Sequence, residues 1–171
     1  MHSQNMAASA AEPTQYLTFM LAGEVFALAI LGVKEIIEYR GLTEVPMMPG
    51  CVRGVINLRG AVVPVMDPLA RFGRAPSEVT KRTCIVIVEI EADEERHVVG
   101  MIVDAVNEVL EIPATDIEPP PAFGARIRSD FIQGMGKVRE RFVILLDPSR
   151  VLTLDEAAAA ADAAQRAEAV A

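Results

Sequence analysis

Few side chains in this sequence could act as nucleophiles, general bases or metal ligands. The chain has two cysteines, Cys51 and Cys84, and two histidines, His2 and His97. A reactive cysteine needs a neighbouring base or a helix N-terminus to lower its pKa, and the Pro49-Gly50 pair before Cys51 predicts no helix. We interpret both cysteines as buried thiols of a reducing compartment, with a disulfide or a Cys51-dependent enzyme as the alternatives. No metal-ligand spacing or phosphate-binding glycine motif is present, so we expect no metal, no cofactor and no catalysis.

Two charged residues interrupt aliphatic segments and are candidates for binding. Arg59 precedes Gly60 between two aliphatic runs, where a hairpin tip is predicted, and Glu35 lies between Val33 and Ile36. A planar guanidinium suits a carboxylate or the backbone carbonyls of a partner protein. The alternatives are a solvated turn for Arg59, and for Glu35 either an exposed position or an internal ion pair with Arg59.

Phe123 is a third candidate, because it closely follows the stiff connector formed by three prolines at 119–121 and directly precedes Gly124. An aromatic side chain on a rigid loop can fill the core of its own protein or anchor a partner. The sequence leaves both interpretations open.

Strands are the main elements predicted to position these residues. Alternating apolar residues and turn signals predict strands at 16–21, 25–30, 55–58, 61–66, 83–90, 97–103, 106–112, 131–138 and 141–146. Segment 33–38 fits a strand or a helical turn. Asp67-Pro68 and Asp147-Pro148 each predict the start of a helix, and the second is expected to run into an Ala-rich tail at 155–171. Residues 1–13 are expected to form a flexible lead-in.

The sequence also contains an internal repeat. Residues 54–68 align without gaps on 134–148, with matching Gly, Arg, Val, Asp and Pro residues, and 33–38 align on 106–111. We infer two related β lobes of roughly 65 residues, with matching cores at 33–68 and 106–148, inside one domain at 14–154.

Charge and hydropathy exclude other classes of protein. The formal net charge is −8, which argues against a nucleic-acid partner. No apolar run approaches the roughly 20 residues of a membrane span, and no signal peptide is recognisable. We expect a cytoplasmic protein with no direct membrane insertion. Its β edges and apolar faces are the surfaces available for binding other proteins.

The sequence resembles the CheW family of adaptors in bacterial chemosensory arrays. The strongest match is VRGVINLRGAVVPVMD at 52–67, and the resemblance covers about 14–154. Supporting matches, in family order, are VKEIIE at 33–38, Val45-Pro46 with Pro49, RFG at 71–73, VVGMIVDAVNEVL at 98–110, FIQGMG at 131–136 and ILLD at 144–147.

The resemblance implies a mostly β fold of two intertwined SH3-like five-stranded barrels with short helices and a C-terminal helix. It implies a non-catalytic adaptor, which couples the cytoplasmic signalling domain of a chemoreceptor to the regulatory domain of the histidine kinase CheA at membrane-associated arrays. Other CheW copies in rings are further partners. The family positions for receptor contact fall on Glu35 and Arg59, with Val33, Ile36 and Ile85 lining a groove, and an aromatic at a kinase-facing contact falls on Phe123.

Other functions are compatible with the same residues. The chain could serve a pathway with pili or another non-flagellar output, or be a CheW-type module of a larger signalling protein. A homo-oligomer that pairs its own β edges is another alternative, as is the Cys51-dependent enzyme. Retained function after Cys51→Ser would argue against the enzyme.

Overall fold

A computed structural model describes residues 14–48, 51–92, 94–120 and 131–152. Two helices of one turn each, α1 (Pro68–Arg71) and α2 (Pro148–Val151), and the 3-10 turns Ile30–Gly32 and Ala114–Asp116 accompany the strands. The strands are β1 (Thr14–Leu21), β2 (Glu24–Ala29), β3 (Val33–Glu38), β4 (Val52–Leu58), β5 (Ala61–Met66), β6 (Cys84–Ala92), β7 (Glu95–Val103), β8 (Ala105–Ile112), β9 (Ile117–Glu118), β10 (Ile132–Val138) and β11 (Arg141–Leu146).

The strands form two sheets of equivalent topology, in which β3, β6, β7, β5 and β4 of one correspond to β8, β1, β2, β11 and β10 of the other, and β9 is an additional edge strand. One sheet runs β3-β6-β7-β5-β4, and the other runs β8-β1-β2-β11-β10-β9. We call the first the central lobe and the second the terminal lobe, because the second combines strands from both ends of the chain. In the central lobe β5 and β7 are parallel, and in the terminal lobe β2 and β11 are parallel. The other neighbouring strands named in the two orders are antiparallel. The predicted mostly β fold with two intertwined SH3-like lobes is confirmed.

The aligned blocks of the sequence occupy equivalent hairpins in the two lobes. Both β4–β5 and β10–β11 have a register shift just before the matching glycines, Gly54 and Gly134. At the hairpin tips, Arg59 and Arg139 have φ angles of 52° and 51°. Positive φ at the turn residues is what a two-residue hairpin loop requires, because it matches the twist of the strands.

The two short helices begin as the Asp-Pro pairs predict. Asp67 and Asp147 are the N-caps, and each carboxylate accepts a hydrogen bond from the backbone N–H two residues later. Helix α2 ends at Val151 because Leu152 is extended, so α2 does not continue unbroken into the tail. The Ala-rich tail at 155–171 lies outside the described residues.

A shared core joins the lobes. Four phenylalanines form a chain of ring contacts: the centroids of Phe19 and Phe26 are 6.3 Å apart, those of Phe26 and Phe72 6.2 Å, and those of Phe72 and Phe131 5.5 Å. Phe19 and Phe26 belong to the terminal lobe, whereas Phe72 follows α1 of the central lobe. The same cluster buries side chains of both sheets, so the lobes are packed as one unit.

Candidate functional site

Arg59 lies at the tip of the β4–β5 hairpin and extends into solvent. Gly60, the other turn residue, also has a positive φ of 88°, and its N–H donates to the side-chain oxygen of Asn57 at 2.8 Å. An arginine in the left-handed region is uncommon, so the turn holds Arg59 against its intrinsic preference. The Arg59 side chain is 73% exposed.

Glu35 and Arg59 form a two-pronged ion pair. The Nη1 and Nη2 atoms of Arg59 donate to Oε2 and Oε1 of Glu35 at 2.7 and 3.2 Å. The hydrogen bond with Glu35, and then its charge, raise the pKa of Arg59. Of the sequence alternatives for Glu35, the internal pair is therefore the one that the structure contains. Because the guanidinium of Arg59 is mostly exposed while the Glu35 side chain is only 25% exposed, the pair orients Arg59 more than it stabilises the fold.

The predicted receptor-contact residues of β3 and β6 are divided between the two faces of this strand pair. Ile36 pairs with Val86 of the shared core and is 42% exposed, and Val33 packs on the same core. Ile85 instead belongs to a second buried cluster inside the central lobe, which is separate from the shared core, and is only 1% exposed. Glu35 is the immediate neighbour of Ile36 and points to the opposite face. The structure thus brings Glu35 and Arg59 together, but it does not join all five residues in one patch.

A cleft of about 650 Å³ opens in the central lobe between residues of β3 and β4, and neither Glu35 nor Arg59 lines it. Thr43 and Val55 exchange backbone hydrogen bonds of 2.9 Å at its edge. Sequence reasoning selected Ile85 from this cleft and missed the others, since an aliphatic pattern does not show which side chains border an opening. The cleft is lined by Ile37, Glu38, Arg40, Gly41, Leu42, Thr43, Val55, Ile56, Asn57 and Ile85.

The remaining sequence candidates have no shared geometry. Cys51 is buried and Cys84 is half-buried; burial, and then the charge of Glu38, raise the pKa of the Cys84 thiol. Phe123 lies outside the described residues. Within the ranges that the structure describes, no three His, Cys, Asp or Glu side chains form a possible metal site. No helix in those same ranges meets the length and apolarity of a membrane span.

Comparison with known proteins identifies the family of the chain. A family model described as a CheW-like domain matches residues 15–156. The chain belongs to the CheW-like family. Among relatives, the chemotaxis protein CheW of Klebsiella aerogenes is 32% identical over 144 residues, which cover 84% of each chain. The chemotaxis protein CheW of Rhizobium meliloti is 33% identical over 146 residues, covering 85% of this chain and 92% of the relative.

A solved CheW structure has the same fold. The scaffolding protein TtCheW from Thermoanaerobacter tengcongensis is 34% identical, with a TM-score of 0.74 over 84% of this chain and 90% of that one. The names of these relatives place the chain in a family of chemotaxis scaffold proteins.

Proposed function

We propose that this CheW-like chain is a non-catalytic, cytoplasmic adaptor that holds a chemoreceptor signalling domain next to the regulatory domain of a CheA-type histidine kinase. Its membership of a family of scaffold proteins supports this function, as does a surface in which charged and apolar groups are displayed on rigid strands. The observation that carries the proposal is the ion pair in which Glu35 of β3 holds the exposed side chain of Arg59 at the tip of the β4–β5 hairpin.

The receptor contacts the β3 edge of the central lobe, where Arg59 pairs with Glu35 on one face of the strand and Ile36 is exposed on the other. Arg59 has five N–H donors, of which two are directed at Glu35, so others are open to carboxylate or carbonyl oxygens of a receptor helix. Ile36 supplies apolar contact area, while Val33 packs on the shared core and Ile85 packs inside the central lobe on the opposite face. Charges at such a surface set the orientation of the partner, and apolar burial supplies affinity.

The kinase contacts Phe123. This assignment follows from the family resemblance, and it places an aromatic anchor at the contact. Further CheW copies would bind alongside this protein in a ring of adaptor and kinase domains. Replacement of Phe123 by Ser should weaken kinase binding more than receptor binding, and the opposite order would mean that the two surfaces are interchanged.

Reversal of the charge at Arg59 tests the receptor surface, and the repeat offers a matched control. Arg59→Glu should abolish co-sedimentation with a receptor signalling fragment, because it places like charges beside Glu35 and removes the donors. Arg139→Glu makes the same change at the equivalent hairpin tip of the terminal lobe and should leave receptor binding intact. Equal circular dichroism spectra would establish that both variants fold. If Arg59→Glu co-sediments with the receptor fragment as well as the wild-type protein does, Arg59 is not part of the receptor site.

A further inference from the structure

The hairpin that carries Arg59 is anchored at its base by a buried polar cluster. Asp67 follows β5 directly and is completely buried. Its Oδ2 accepts from Nη1 of Arg53 at 2.8 Å and from the N–H of Ser77 at 2.9 Å. Its Oδ1 accepts from the N–H of Leu69 at 3.0 Å, and the Ser77 hydroxyl lies 3.4 Å away. A buried carboxylate is stable in this position because its lone pairs are satisfied and a cation faces it.

Arg53 extends this cluster across the base of the hairpin. It belongs to β4, next to the register shift before Gly54, and its Nη1 also donates to the backbone oxygen of Ser77 at 3.1 Å. Arg53 thereby connects the start of β4 to Asp67, the residue after β5, and to Ser77 in the segment that leads to β6. A hairpin held only by its own ladder can bend where the register shifts, and this connection resists that motion.

No equivalent connection crosses the hairpin among the described residues of the terminal lobe, although that hairpin is otherwise similar. The residue at the position of Arg53 is Gln133, which carries no charge. Asp147, at the position of Asp67, accepts from Ser149 and faces Arg150 at 3.5 Å, both close in sequence. The cross-hairpin ion pair therefore occurs in the lobe whose hairpin tip also forms an ion pair, between Arg59 and Glu35.

We infer that Arg53 and Asp67 are positioning residues for the receptor surface: their buried ion pair fixes the base of the β4–β5 hairpin so that Arg59 meets Glu35 at its tip. The inference rests on the proposed function for its effect on binding. Its structural part, restraint of the hairpin, can be measured without any receptor.

Hydrogen exchange tests the structural part. In Arg53→Met, which keeps a long apolar side chain and loses the charge, the amides of 58–61 should exchange at least fivefold faster, while those of β6 and β7 change less than twofold. Arg53→Lys keeps the charge and should restore most of the protection. Gln133→Met is the matched control in the terminal lobe and should leave 58–61 unchanged. Unaltered exchange in Arg53→Met would overturn the inference whatever the receptor does.

Receptor affinity tests the functional part through a double-mutant cycle. Arg53→Met should weaken binding of a receptor signalling fragment at least tenfold, and in an Arg59→Ala background it should add less than a twofold loss, since Arg53 acts through Arg59. If the two substitutions reduce receptor affinity independently, so that their effects multiply in the double mutant, the positioning role is wrong. It is also wrong if Arg53→Met binds with wild-type affinity while Arg59→Ala binds more weakly. Wild-type affinity of Arg59→Ala itself would instead reject the proposed receptor site, and the exchange result would then decide the positioning role by itself.

Discussion

Truncation of Phe72 should destabilise the whole protein rather than one lobe. Phe72 is the third of the four phenylalanines in the chain of ring contacts, with its ring centroid 6.2 Å from that of Phe26 and 5.5 Å from that of Phe131. Phe72→Ala removes both ring contacts and leaves a cavity between the lobes. The proposed adaptor function requires two partners held at a fixed geometry, and this shared core is the part of the fold that would maintain it.

The size of the effect follows from the burial of the ring. Replacing a core Phe by Ala typically costs 3–5 kcal/mol, and Phe72 is 9% exposed, so we expect about 3 kcal/mol, near the lower end of that range. In a chain of this length each kcal/mol lowers Tm by about 2–4 °C, which gives a fall of roughly 6–12 °C.

Thermal and urea unfolding, followed by far-ultraviolet circular dichroism, measure this effect. Phe142→Ala is the control, because Phe142 is 51% exposed and should change Tm by less than about 2 °C. Wild-type protein should show one transition, since both lobes share the core. A loss below about 1 kcal/mol in Phe72→Ala, or two separate transitions in wild-type protein, would refute the view that the lobes are fused through this ring.

Three further predictions concern single positions. Gly54→Ala should destabilise by about 1–3 kcal/mol in urea titrations, because φ is +155° and a Cβ would collide with the Thr43 carbonyl oxygen; an unchanged midpoint would contradict this packing. Cys84 should react with iodoacetamide more slowly at pH 8 than a free thiol, because its pKa is raised, and Glu38→Gln should speed the reaction; no change on that substitution would exclude Glu38 as a cause. Cys51→Ser should retain receptor and kinase binding, whereas loss of binding in a folded variant would revive a thiol-dependent function.

The sequence predicted the hairpins well because their signals are local. Arg59-Gly60 supplies residues for a tight turn between aliphatic runs, and Asp67-Pro68 caps a helix in the position where the structure begins α1. The repeat in the sequence corresponds to two sheets with the same strand order, since each copy encodes the same hairpin and helix start. The two-residue strand β9 is too short to produce a pattern and was missed.

Segment 33–38 remained ambiguous for a physical reason that the structure reveals. A register shift between Val33 and Glu35 breaks the alternation of β3, so Val33, which packs on the shared core, and Ile36, which pairs with Val86 of that core, lie on the same face. Three-residue spacing on one face is typical of a helix, and a bulged strand imitates it. The ion pair between Glu35 and Arg59 was one of two open alternatives, because contact between distant edges depends on how the sheet curves.

Formation of a three-protein complex tests the adaptor function most directly. Analytical ultracentrifugation of a receptor signalling fragment, the kinase regulatory domain and this protein should show one species containing all three. That species should be absent when the protein is omitted, and it should also be absent with Arg59→Glu. If the receptor fragment and the kinase domain displace one another from the protein, or if neither binds it, the chain is not an adaptor between them.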